Sequence, residues 1–283
     1  LDVDNLEVNN QVWGRSRPYK KIFGTKPFKL NGLIQWRPGE VRIAEGQLVF
    51  SSGTVEAKGN VSSGKGFDLK GVTDSIDLGL EVGEIAGIPL TGNGLARIHV
   101  HGPPEAVLLD FDLKQKDAKF VHFDFGEIEG RVRYDDDKSF IHIIGMKGKK
   151  NSSHYSVAGS VNVGEGDDLN LNALFGESDP NDIFAVFHNQ LKDISWIPRG
   201  MGGVVEGRAQ IGGHYDGGLN TLKISGELKG KSLLYMGEVV HEFDIDAQLA
   251  DGILKARILR GRKYETPITG EIEYHLNGDM KYF

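Results

Sequence analysis

The chain has 283 residues, 39 of them glycine and 9 proline, with a formal net charge of −7 and no cysteine. The acidic balance argues against nucleic acid as the main partner, because phosphate binding needs a basic surface. The missing cysteine excludes disulfides, thiol catalysis and cysteine-held metals. Glycine stands at about twice its usual share of roughly 7% while proline is modest, which favours many short strands and tight turns over disorder. No apolar run approaches the roughly 18 residues that a membrane-spanning helix needs. The chain begins at Leu1 and ends on strand-like Met280-Lys-Tyr-Phe283, and it reads as one part, 1–283, of a longer protein.

Residues 1–30 open with Leu1 and Val3, then Leu6 and Val8 after an out-of-phase Asn5, the pattern of a weak strand. A basic, proline-containing loop follows (Arg15, Arg17, Pro18, Lys20, Lys21). From Leu30 onward apolar pairs recur roughly every 8–12 residues, the spacing of an all-β fold. The same-face residues are Leu48 and Phe50, Val55, Ala57 and Val61, Phe67 and Leu69, Ile76, Leu78 and Leu80, Ile98 and Val100, then Leu109, Phe111 and Leu113. They continue as Phe123 and Phe125, Ile141 and Ile143, Val157, Val161 and Val163, Leu169 and Leu171, Leu222 and Ile224, Phe243 and Ile245, and Ile268 and Ile272. Their outward neighbours are often charged (Asp68, Lys70, Arg97, Asp110, Asp112, Asp244), as expected of antiparallel sheets with one apolar and one wet face.

Glycine sits repeatedly on the apolar line, in an apolar-x-Gly-x-apolar unit at Gly32, Gly59, Gly130, Gly159, Gly207, Gly226 and Gly270. Glycine inside a strand marks a bend or a close backbone approach, so these seven are expected at bends of the sheet. A longer repeat overlies them: Gly92 and Gly203, Gly102 and Gly213, and Gly159 and Gly270 all lie 111 residues apart. Similar turns, Ile85 to Pro89 and Ile194 to Pro198, precede two of these units. The expected modules run over about 30–90, 91–199 and 200–283, stacked because no repeat closes its own apolar face.

One segment departs from the strand pattern. Asp179-Pro180 followed by Asp182 predicts a helix start, with Asp at the cap, Pro at the first position and a carboxylate in the first turn. Ile183, Phe184, Phe187 and Leu191 then recur at helical spacing, predicting one short helix over about 180–191 that serves as a connector.

Candidate chemistry is sparse. His99 and His101 are spaced as zinc ligands on one strand face, yet they lie on the wet face and no third ligand is near them in sequence. Asp135-Asp136-Asp137 lacks the alternating carboxylates and closing Glu of a calcium loop and reads as a hairpin turn. The glycine spacings do not open helices, so they make no phosphate cradle, and no nucleophile elbow, zinc-protease motif or catalytic triad is spaced out. No catalytic residue, metal site or cofactor is assigned. Lys147, Lys149 and Lys150 around Gly148, and Arg260, Arg262 and Lys263 around Gly261, read as matching basic turns and are candidates to meet anionic head groups. Periodicity alone leaves two readings of the apolar line open: a filled sandwich core and an unfilled trough.

The spaced strands, the passage Gly87-Ile-Pro-Leu-Thr-Gly-Asn-Gly-Leu95, the Ser156-Val-Ala-Gly-Ser-Val-Asn-Val163 unit and the long repeat resemble the periplasmic part of the AsmA-like family, its TamB branch in particular. The resemblance covers roughly 30–283. It implies an elongated, mostly antiparallel repeating β-groove, or β-taco, in a periplasmic segment of an inner-membrane-anchored protein. In this family the groove carries phospholipid acyl chains toward the outer membrane, and the same-face apolar residues above, apart from Ile76, Leu78, Leu80, Phe123 and Phe125, would become its lining. It implies no catalytic residue, and an outer-membrane barrel as a partner through a region this sequence lacks. An assembly module that presents sheet edges to outer-membrane β-strands is the alternative. A closed module for adhesion or carbohydrate binding is a third, against which Trp13, Trp36 and Trp196 are dispersed.

Overall fold

The structure, a computed structural model, describes residues 2–8, 28–50, 52–77, 90–120, 123–164, 166, 168–186, 202–215, 220–235, 237–275 and 280–282. It is all-β, with a single short helix among those residues. The chain divides into two compact units, residues 1–121 with 127–144, and residues 122–126 with 145–283.

Unit 1 holds β1 (Asp2–Val8), β2 (Phe28–Arg37), β3 (Glu40–Val49), β4 (Thr54–Ser62), β5 (Gly66–Asp77), β6 (Leu90–Gly102) and β7 (Leu108–Phe120). Each pairs antiparallel with the next. The β1 register slips between Val3 and Leu6, where Asn5 breaks the alternation. Two further strands, β8 (Phe123–Asp135) and β9 (Phe140–Lys150), give most of their length to unit 1 and to unit 2 respectively. Unit 2 continues with β10 (Ser153–Asn162), β11 (Asp168–Ser178), the helix α1 (Pro180–Val186), β12 (Gly202–His214), β13 (Leu222–Tyr235), β14 (Glu238–Ala250), β15 (Ile253–Lys263), β16 (Thr266–His275) and β17 (Met280–Tyr282). Here too, from β10 to β17, each strand pairs antiparallel with the one that follows.

Turn chemistry sets these hairpins. Pro38-Gly39 links β2 and β3, with Gly39 at φ +79°, as the third position of a type II turn requires. Asp135 closes the β8–β9 turn as expected, its Oδ1 accepting from the Lys138 amide at 3.2 Å and its carboxylate pairing the Lys138 ammonium. Asp179 caps α1, its carboxylate accepting from the Asn181 amide at 2.8 Å. The helix therefore starts where the sequence places it. Its expected continuation over 187–191, the turns at 85–89 and 194–198, Leu78, Leu80 and the basic loop at 15–21 lie outside the described residues.

One expectation is corrected. Lys147 to Lys150 and Arg260 to Lys263 are not turns; they are the closing residues of β9 and β15. Phe50 lies just past the end of β3, where its amide donates to the Gly53 carbonyl at 2.8 Å.

Candidate functional site

Strand register sorts the side chains into rows that run across the sheet. In unit 2, Ala173, Ala209, Gly226, Ala247 and Ala256 face one another in turn on β11 to β15. This row begins beside Val157 on β10 and ends beside Ile272 on β16. On one side it is flanked by Leu171, Ile211, Ile224, Leu249 and Leu254. On the other it is flanked by Phe175, Gly207, Leu228, Ile245 and Ile258. A seam of side chains no larger than methyl thus crosses five strands between two rows that are mostly branched and apolar.

Unit 1 repeats the plan over fewer strands. Gly32, Gly46, Ala57 and Gly71 form the row on β2 to β5, and Ile98 and Phe111 continue it on β6 and β7. Where the row turns bulky, the face fills. Val55, Ile76, Ala96, Phe111 and Leu113 form a buried cluster, with Leu48, Ile98, Leu109 and Val132 packed on it. Of the 25 residues expected to line the apolar face, eight are buried and the other seventeen are half-buried; none is exposed. The face is sheltered, yet most of it retains accessible apolar surface.

The glycines expected at bends separate by physical cause. Gly32, Gly59 and Gly159 sit at φ +147°, +143° and +140°, backbone that side-chain-bearing residues rarely adopt. A methyl added there would be driven into the carbonyl oxygens of Glu45, Asp68 and Asn170. Gly207 lies under the Phe175 ring and Gly226 lies in the seam, close to the Arg208 carbonyl. Nothing stands within 4 Å of a methyl built on Gly270, so crowding does not select glycine at that position. Gly130 is half-buried in β8.

A related device uses aromatic rings. Tyr155 lies over Gly148 and donates from its hydroxyl to the Phe125 carbonyl at 2.5 Å, while the Phe243 ring lies over Gly230. Burial pushes the Tyr155 hydroxyl well above its usual range. Gly148 is therefore a slot for a ring, in place of the basic-turn glycine expected there.

The opposite face is a ladder of ion pairs. Arg208 meets Glu227 at 2.7 Å, Lys255 meets Glu273 at 3.1 Å, and Arg260 meets Asp244 at 3.3 Å. Cross-strand pairs of this kind help to hold register, each weakly because water screens it. Of the head-group candidates, Arg262 pairs Glu242, Lys263 pairs Glu238, and Lys150 pairs Asp124 at 2.7 Å. Lys147 and Lys149 are exposed on β9. Arg260 and Arg262 also line a concavity of about 600 Å³ with Phe243, Leu259, Gly261 and Ile268, at the register shift between β14 and β15.

Sequence spacing supplies no third ligand for His99 and His101, but the fold does. Asp110 stands directly opposite His99 on the neighbouring strand, and ligand atoms of the three side chains lie within 4.8 Å of one another. Register, invisible in one dimension, makes this group.

Helix α1 is tied to the β9–β10 turn through a buried carboxylate. Asp182 accepts from Asn151 Nδ2 at 2.5 Å, Ser153 Oγ at 2.6 Å and Ser152 Oγ at 3.3 Å. Burial works against its charge, but these hydrogen bonds outweigh it and hold the carboxyl below its ordinary range.

No family model, curated protein or solved structure matches the chain.

Proposed function

We propose that this chain is a non-enzymatic lipid conduit whose apolar face carries phospholipid acyl chains along the seam of small residues. The observation that carries this reading is the row Ala173, Ala209, Gly226, Ala247 and Ala256, floored by small side chains and walled by leucine and isoleucine. Five strands at about 4.8 Å spacing give a strip of roughly 20 Å, the length scale of one acyl chain. Each methylene taken out of water on such a strip contributes about 0.8 kcal/mol. A row of near-identical side chains offers no preferred stopping point, which suits movement along it better than a shaped pocket does. In this reading the chain is a periplasmic groove segment of an AsmA-like envelope protein, between inner and outer membranes. The seventeen half-buried lining residues support it, because a filled sandwich core would pack its apolar residues to near-crystalline density.

The test is co-purified lipid. Protein isolated from cells in mild detergent and extracted with organic solvent is expected to release phospholipid detectable by mass spectrometry. Ile224→Glu on the wall is expected to abolish the lipid while leaving the circular dichroism of the sheet unchanged. Wild-type protein free of lipid, or an unfolded Ile224→Glu variant, would overturn the proposal in favour of a closed core.

A further inference from the structure

We propose that His99, His101 and Asp110, on the wet face of β6 and β7, bind a divalent transition metal ion of the zinc class. Two imidazoles and one carboxylate are a donor set that zinc accepts, with the fourth position left to water or an exogenous ligand. The strand supplies the geometry. His99 and His101 project from the same face two residues apart, and their rings stack with centroids 4.5 Å apart and planes inclined by 26°. His101 Nε2 lies 3.1 Å from Asp110 Oδ2, and His99 Nε2 lies 2.8 Å from Asp68 Oδ1.

Ligand atoms around a tetrahedral zinc are about 3.4 Å apart, from bond lengths near 2.1 Å. The three ligand atoms here lie within 4.8 Å of one another, so rotation of the two imidazoles toward the carboxylate has to close the difference. The carboxylate is already oriented. Arg133 donates to it twice, Nε to Oδ1 at 2.6 Å and a terminal nitrogen to Oδ2 at 2.9 Å. A carboxylate offers about four lone-pair sites, so acceptor positions remain after the arginine takes two. Second partners of this kind fix metal ligands in orientation. Asp68, beside His99, adds negative charge facing the cation and offsets the guanidinium. The side chains are 36%, 27% and 21% exposed, so an ion reaches them without opening the sheet.

This site is independent of lipid carriage, since on β6 and β7 these residues alternate with Ile98, Val100, Leu109 and Phe111 of the apolar line. Protein without a histidine tag, stripped with chelator, is titrated with Zn²⁺ by calorimetry. One ion per chain at micromolar affinity or tighter is expected. His99→Ala and His101→Ala are each expected to weaken it at least tenfold, while His214→Ala, at the His214–Asp168 pair in unit 2, leaves it unchanged. A second readout uses only the wild type: the ring signals of His99 and His101 should shift in the NMR spectrum on adding Zn²⁺. No stoichiometric binding, binding retained in the double alanine variant, or shifts confined to other histidines would overturn the proposal.

Discussion

In unit 1 the small-residue row passes through Gly32, Gly46, Ala57 and Gly71 and then meets Ile98 and Phe111; in unit 2 it stays small from Ala173 to Ala256 before meeting Ile272. The packing changes with it. Beside Ile98 and Phe111 the face gathers the buried cluster around Val55, Ala96 and Leu113, whereas in the rows flanking Ala209 and Ala247 Leu249 is buried but Ile224 and Ile245 remain half-buried. The two units thus differ in side-chain volume at one register position of the same alternating pattern.

Breaking that contrast is the most direct test. Phe111→Ala in unit 1 is expected to cost about 3–5 kcal/mol in chemical denaturation, as removal of a buried aromatic does. Ala247→Leu in unit 2 is expected to cost under about 1 kcal/mol and to displace lipid, because the strip has room. A filled interior would instead charge about 1–3 kcal/mol for the added methylenes. Equal penalties in the two units would remove the distinction.

The units also differ in how a hairpin is held. Asp135 closes the β8–β9 turn from within, whereas the β9–β10 turn is held by Asp182, about thirty residues further along. Asp182→Ala leaves the donors on Asn151 and Ser153 without their acceptor and is expected to cost about 2–3 kcal/mol. Because its folded pKa is depressed, the charged form stabilises the fold above the ordinary carboxylate value of about 3.9. That contribution is lost as pH falls through the lower, folded value. The gap in melting temperature between wild type and Asp182→Asn should therefore narrow as acid is added. A gap that widened would show that the neutral side chain is the better partner.

The smallest contrast lies between two glycines that the pattern treats alike. Gly59→Ala is expected to destabilise by about 1–3 kcal/mol, since its backbone angle and the Asp68 carbonyl both reject a methyl. Gly270→Ala is expected to be neutral or to stabilise by up to about 1 kcal/mol. Thermal melts of the two single variants decide this.

Much of the fold was legible because alternation reports a strand one residue at a time. The Asn5 slip in β1, the Asp179 cap of α1 and the Asp135 turn were all readable, each resting on local chemistry. What stayed hidden depends on register. Ala209, Ala247 and Ala256 are unremarkable alone and form a seam only when β12 to β15 align them. Asp110 becomes a neighbour of His99 by the same route. Arg260 to Lys263 mimic a turn in composition, and only their partners Asp244, Glu242 and Glu238 reveal a strand. The Tyr155 ring explains Gly148 in a way no spacing rule could, because the two meet across strands.

Within each unit every strand seeks its partner in the next segment of chain, and this gives the architecture a ruler. Removing or inserting one hairpin of two strands changes the length of a face by about 10 Å and leaves all other pairings in register. A lineage could therefore tune the span of such a protein in whole-hairpin increments, provided each new strand brings a small residue to the shared row and a charge to its reverse side.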